Sequence, residues 1–316
     1  MKKLLFIGNT RLGDAIMSTG LLNDLCKYYD AKATVVCGKV AAPVFDDCPI
    51  VDKVITIKKK KYSLHWINIW KEIRFTRWDI ICDLRSTPII WLVSSKKRIV
   101  LRSSGDKEHR IVRLSKINPT GKKPMPKIWI SEQAHVEAKR YINNISGPFL
   151  VIGPTANWAA KVWPTENFAL LIQKLLAYKE LLGAKIILVG GPGEESVGQE
   201  LISQLKGIKP INLIGKPILA TAAIFSLSKV FIGNDSGLMH LAAATGIPTL
   251  GLFGPTDDNL YAPSGKNAMF VRTPESPKEL MNIPDFNHKT SFSLMKTLTV
   301  EIVEKRVKDL LQSTSS

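Results

Sequence analysis

Along the chain, apolar residues gather in short unbroken runs rather than alternating strictly with polar ones. KLLFIGN, KATVVCG, DKVITIK, WDIICDL and KRIVL mark the first half; PFLVIGPT, AKIILVGG, KVFIGN and IPTLGLFG mark the second. Such a run, bounded by glycine or polar residues, predicts a strand buried on both faces, as in a parallel sheet. Between the runs the spacing becomes helical. Ile16, Leu21, Leu22 and Leu25, with Tyr28 or Tyr29, share one side of a helix after the first strand. Residues 164–183 predict another, with Pro164 near its start and Gly183 past its end. Val300, Val303, Val307 and Leu310 predict a final amphipathic helix. The strand–helix alternation is that of a doubly wound α/β protein with helices on both faces of a parallel sheet. At 316 residues the chain exceeds one ordinary core. The polar, Gly/Pro-bearing stretch Asn143–Pro148 is the expected linker, giving domains 1–146 and 147–316, with the last helix free to pack back on the first domain.

In doubly wound sheets ligands bind outside the carboxyl ends of the strands. The polar loops of this chain fall at those ends. GNDSGLMH (residues 233–240) turns a strand into a helix, and free N–H groups at a helix start favour an anion. Asp235 repels phosphate but accepts from sugar hydroxyls; the alternative is that Asp235 or Ser236 only caps the helix. In GPTANWAAKVWP, Thr155 offers a hydroxyl and Lys161 a cation, which with the Ser236–Gly237 helix end would hold a diphosphate. The alternative for Lys161 is a solvated loop residue. Glu194 follows the turn GGPG, where a carboxylate binds ribose hydroxyls or merely starts a helix. RLGDA resembles a phosphate loop but carries Asp14 where such a loop has lysine. If the second domain holds a sugar on a diphosphate leaving group, a base is still needed, and Asp14 is the candidate. Its alternative role is a helix N-cap.

Charge adds a second constraint. The chain carries 44 Lys and Arg against 27 Asp and Glu; residues 1–150 hold 28 and 13 of them, leaving 16 and 14 for the rest. The first domain therefore has a net +15 and the second +2, which points the first at something anionic. Candidates are Arg11, Lys58 to Lys61 with Lys60 among them, Arg85, Lys96 to Arg98, Arg102, Arg110, Arg113, Lys122 and Lys123. Trp66, Trp70 and Ile73 share a helical face flanked by lysines, which reads as a membrane-interface segment or as a helix packed on the sheet. No apolar run approaches the roughly 18–20 residues that cross a bilayer. The opening run stops at Asn9, as a first strand does, so a cytoplasmic protein is expected. Cys26, Cys37, Cys48 and Cys82 form no C-x-x-C pair and read as buried thiols. His65, His109, His135 and His288 show no metal spacing, so no metal site is expected.

RLGDAIMSTGLL, GPTANWAAKVWPTENFALL, GGPGEE and FIGNDSGLMHLAAATGIPTLGLFGPTD together resemble, in order and from end to end, the motifs of the glycosyltransferase family 9 heptosyltransferases. The resemblance implies a GT-B fold: two Rossmann-like domains facing a central cleft. It implies an inverting, metal-independent transfer from a nucleotide sugar, typically ADP-heptose, with no separate cofactor. On it Asp14 matches the general base, Lys161 and Thr155 the donor-phosphate contacts, and Glu194 the ribose contact. Asp235, Ser236, Gly237 and His240 match the signature D-[ST]-G-x-x-H. The acceptor it implies is lipid A with acidic Kdo sugars. The basic first domain would then bind that acceptor, through Arg11, Lys60, Arg85, Arg98 and Arg113, at the cytoplasmic face of the inner membrane. Ala156, Asn157 and Arg85 depart from the family pattern and leave the sugar and acceptor open. Three rivals remain. A nucleotide-sugar epimerase of the same fold needs no lipid, and so leaves the lopsided charge without a reason. A nucleic-acid binder gives Asp14 no role and lacks a known motif, so no nucleic acid is expected. A nicotinamide-dependent oxidoreductase lacks G-x-G-x-x-G after a strand.

Overall fold

The computed structural model describes residues 1–58, 61–102, 105, 107–284, 286–287 and 292–314. Lys59, Lys60 and His288 lie outside the described residues. The chain forms two compact units, Met1–Trp129 and Ile130–Ser316.

The first unit contains β1 (Lys2–Ile7), α1 (Leu12–Tyr29), β2 (Ala31–Gly38), β3 (Val51–Ile57), α2 (His65–Ile73), β4 (Trp78–Asp83), β5 (Ser95–Val100) and α3 (Arg110–Ser115). Its strands lie in the order β3-β2-β1-β4-β5, all parallel. Leu5, Ile7, Val36, Ile55 and Ile81 form one side of the core, closed by Ile69 and Ile73 of α2. Trp66 and Trp70 pack half-buried on the same cluster. The helical face they share with Ile73 is thus a packing face.

Helix α1 is enclosed rather than one-sided: every residue from Ala15 to Leu22 is buried. One reason is the segment 124–127, which crosses the helix at Thr19 and Gly20. Gly20 makes this possible, because a Cβ there would collide with the carbonyls of Pro124 and Met125. Thr19 Oγ1 accepts from Lys127 N at 2.9 Å and donates to Ile16 O at 2.7 Å. The small residues of MSTG thus serve packing.

The second unit contains α4 (Glu132–Tyr141), β6 (Phe149–Gly153), α5 (Thr165–Leu175), β7 (Lys185–Leu188), α6 (Glu195–Gln204), β8 (Ile211–Asn212), α7 (Ile218–Ser226) and β9 (Val230–Asn234). It continues with α8 (Gly237–Thr245), β10 (Thr249–Phe253), α9 (Asp258–Tyr261), β11 (Ala268–Arg272), α10 (Pro277–Met281) and α11 (Val300–Thr314). The strand order is β11-β10-β9-β6-β7-β8, again parallel.

The units divide before the Asn143–Pro148 stretch. Helix α4 packs on α7 and so belongs with the later residues. Helix α11 buries Val300, Val303, Val307, Leu310 and Leu311 in the core of the second unit, against α5, β10 and β11. Each such side chain contributes roughly 2 kcal/mol relative to exposure. The single helix expected over 164–183 stops at Leu175. The chain turns at Tyr178, whose hydroxyl donates to Glu304 of α11 at 3.0 Å, and resumes as a short turn, Lys179–Leu181.

Candidate active site

In the second unit the chain winds outward from β6 through β7 to β8, then returns to place β9 beside β6. That reversal opens a crevice at the carboxyl ends of β6 and β9, the usual ligand position in such sheets. Thr155 and Lys161 follow β6; Asp235 and Ser236 follow β9. The sheet thereby joins side chains far apart in sequence. Lys161 Nζ donates to Asp235 Oδ2 at 3.0 Å and to the Asp235 carbonyl at 2.9 Å. Their side chains are only 13% and 8% exposed. Lys161 is therefore not a solvated loop residue, and the carboxylate of Asp235 holds the ammonium rather than capping α8.

Ser236 occupies the N-cap position of α8 with extended backbone and no side-chain cap hydrogen bond. The Ser236 side chain thus leaves the first N–H groups of α8 uncapped, and they carry the positive end of the helix dipole. Gly237 opens the helix, and His240 is buried one turn further on.

Asn234, which sequence reasoning passed over, fastens these parts together. It is fully buried at the end of β9. Its Nδ2 donates to the Pro154 carbonyl at 2.8 Å and its Oδ1 accepts from Trp163 N at 3.1 Å. Both ends of the loop bearing Thr155 and Lys161 are thus tied to β9. The only hint in the sequence is an amide ending an apolar run just before the acid. Thr155 is buried against Gly190, where a Cβ would come within 2.9 Å of its Oγ1. Glu194 folds back so that Oε2 accepts from Gly191 N at 2.7 Å, which aims its carboxylate at the glycine turn.

In the first unit the corresponding reversal lies between β1 and β4. Asp14 sits in the first turn of α1; the N-cap position belongs to Arg11, whose side chain makes no cap hydrogen bond. Asp14 is therefore not the cap. Its Oδ1 lies 3.9 Å from the Nε of Arg110, one of the candidate cations of the first domain. Across the reversal, buried Asp83 accepts from Arg85 N at 2.8 Å and from Thr87 Oγ1 at 2.7 Å, which shapes the turn carrying Arg85. The Arg85 guanidinium lies over Trp66, 5.6 Å from the ring centre, and its buried Nε has no hydrogen-bond partner. Arg113 reaches the Arg102 carbonyl at 3.5 Å. Arg98 differs: its guanidinium donates to the carbonyls of Ile90, Ser95 and Val93 at 3.0, 3.4 and 2.6 Å. Those donors are spent on the turn beside β5, so Arg98 serves the fold. Arg11 is exposed, and Lys60 lies outside the described residues.

Burial pushes the thiols of Cys26 and Cys37 up to about 12 and that of Cys48 up to about 11; Cys82 is raised for the same reason. All four are free. Among the described residues no three His, Cys, Asp or Glu side chains are grouped as a metal site needs, and no helix is long and apolar enough to cross a membrane.

Two doubly wound units, the second with a cationic crevice and an uncapped helix start at its strand reversal, are the architecture of a GT-B enzyme. The chain belongs to glycosyltransferase family 9 (heptosyltransferase), whose sequence model matches residues 106–290. It is 26% identical over 293 residues to lipopolysaccharide heptosyltransferase 3 of Escherichia coli, covering 81% of this chain and 84% of that one. Its fold matches the glycosyl transferase family 9 protein of Veillonella parvula DSM 2008 with a TM-score of 0.80 at 22% identity, over 99% and 97% of the two chains. It matches E. coli heptosyltransferase WaaC with ADP-2-deoxy-2-fluoro heptose with a TM-score of 0.70 at 19% identity, over 97% and 99%.

Proposed function

We propose that this chain is an inverting, metal-independent enzyme that moves a heptose, or a similar sugar, from an ADP-activated donor to an inner-core lipopolysaccharide acceptor. It works at the cytoplasmic face of the inner membrane. One observation carries this reading: the Lys161–Asp235 pair beside the uncapped start of α8. A diphosphate there meets an ammonium and free N–H groups already in place. Charge that develops on the leaving group is then stabilised without reorganisation. Thr155 donates to the same phosphates, and buried His240 backs the helix turn that receives them. Asp235 accepts from sugar hydroxyls and Glu194 from the ribose.

Asp14 takes the proton of the acceptor hydroxyl. The freed oxygen pair forms the new glycosidic bond on the face opposite the nucleotide, and the bond to the diphosphate breaks with its electrons leaving on ADP. Configuration inverts. Arg11, Lys60, Arg85 and Arg113 stand as candidates for the anionic acceptor, supported by the basic excess of the first 150 residues. The ADP-heptose analogue held by the E. coli neighbour supports the donor class.

The test is incubation with ADP-heptose and a truncated core lipid, with and without EDTA, reading product mass and anomeric configuration. Transfer with inversion, indifferent to EDTA, is expected. Asp14→Ala should cut turnover by about 10²–10⁴-fold with ADP binding retained; near wild-type turnover would remove Asp14 from the chemistry. An epimerised donor formed without acceptor would favour the epimerase reading.

A further inference from the structure

On the first unit, the outer side of α2 and the neighbouring turn Pro88–Leu92 form an apolar surface edged by cations. Leu64, Ile67, Lys71 and Phe75 succeed one another at helical spacing and are all exposed, Phe75 to 82%. Trp70 donates its indole N–H to the Leu92 carbonyl at 3.1 Å, which sets Leu92 and Trp91, 69% and 67% exposed, alongside the helix. Arg74 lies over the rings of Trp70 and Phe75 at 4.5 and 4.2 Å. The core does not use Leu64, Ile67, Phe75, Trp91 or Leu92: Ile69 and Ile73 fill it from the opposite side of α2, with Trp70 half-buried against them.

The carboxylates of the same region are already engaged. Glu72 pairs with Lys53 at 3.0 Å, Asp79 with Lys96 at 2.7 Å, and Asp83 is buried on Thr87. Lys61, Lys71 and Arg77 remain exposed around the apolar side chains. Contiguous exposed apolar surface marks an interaction site. Large aromatic rings flanked by lysine and arginine are the side chains that settle at a lipid–water boundary.

We propose that this surface docks the first unit on an anionic bilayer. Ile67, Phe75, Trp91 and Leu92 enter the headgroup boundary, and Lys71, Arg74 and Arg77 meet the phosphates. The inference rests on the lipid-linked acceptor of the proposed function. Charge decides against a second copy of the chain: a two-fold contact would set cations on cations, whereas an anionic leaflet complements them. The same helix also touches the strand-end turn, because Trp66 lies under Arg85.

Co-sedimentation of the full chain with phosphatidylcholine vesicles, with and without phosphatidylglycerol, tests this. Binding to the anionic vesicles alone is expected. Phe75→Glu with Trp91→Glu, and separately Lys71→Glu with Arg77→Glu, should each lower it by about tenfold or more. Melting curves confirm that the variants fold, and transfer to a delipidated acceptor should match wild type. Vesicle binding unchanged in both variants overturns the proposal. So does a wild-type dimer in sedimentation equilibrium that the aromatic variant splits, since the face is then a subunit contact. If wild type binds anionic vesicles through this face yet transfers no sugar, docking stands and the proposed function fails.

Discussion

Substituting Asn234 by alanine probes whether the donor crevice is held by a single buried amide. The substitution leaves the Trp163 N–H and the Pro154 carbonyl, both buried, without their partner. A stranded buried polar group costs about 1–3 kcal/mol, so the pair costs about 2–6 kcal/mol. In a unit of this size each kcal/mol lowers the unfolding midpoint by about 2–4 °C, so a drop of about 4–24 °C is expected. The loop bearing Thr155 and Lys161 loses its tie to β9 at both ends, so ADP should bind more weakly and stabilise the variant less than wild type. Calorimetry with and without ADP reads both effects. Asn267→Ala is the internal control: its Nδ2 donates to the Gly246 carbonyl at 3.0 Å in an exposed setting, where the loss should be about 0.5 kcal/mol. A midpoint for Asn234→Ala within about 1 °C of wild type, or a shift no larger than that of Asn267→Ala, would refute the reasoning.

Three further outcomes follow from the structure. Lys161→Met leaves Asp235 buried and unpaired, at a cost of about 3–5 kcal/mol; adding Asp235→Asn should restore most of the melting temperature while sugar transfer stays lost, as parallel melts and transfer assays would show. Gly20→Ala forces a methyl into the carbonyls of Pro124 and Met125 and should destabilise the first unit by about 1–3 kcal/mol in urea titration. The buried thiols make the first unit sensitive to alkali. Cys26 and Cys37 keep their protons up to about 12 when folded but release them from 9.0, the ordinary thiol value, when unfolded. Their contribution is complete below about pH 9 and disappears as pH rises toward about 12, by up to about 1.4 kcal/mol per pH unit for each thiol. Urea midpoints measured across that range should fall, and less steeply for Cys37→Ala.

The sheets were legible because their strands are unbroken apolar runs; β1, β6, β9 and β10 lie where KLLFIGN, PFLVIGPT, KVFIGN and IPTLGLFG predicted them. Strand β8 spans only Ile211–Asn212, too short to leave a run. Helix α7 is apolar apart from Thr221 and Ser226 and shows no periodicity to read. Helix α4 looked like part of the first domain because it precedes the linker, yet its packing partner α7 lies much further along the chain. The same limit governs the site. The chemical types at Asp14, Lys161 and Asp235 could be named from their loops, but the pairing of Lys161 with Asp235 depends on β9 returning beside β6. Arg98 read as one more available cation. Only the fold of the turn after Pro88 shows that its donors are taken by carbonyls.

Helix α8 is wrapped by protein on nearly every side, Leu238 to Ala243 being buried. Mobile ions cannot crowd around its axis, so the field at its tip escapes the screening that dissolved salt imposes within about 8 Å on open charges. The lysines and arginines along α2 have no such shelter. If the proposed docking holds, raising ionic strength should therefore loosen it long before it loosens the grip of α8 on a nucleotide.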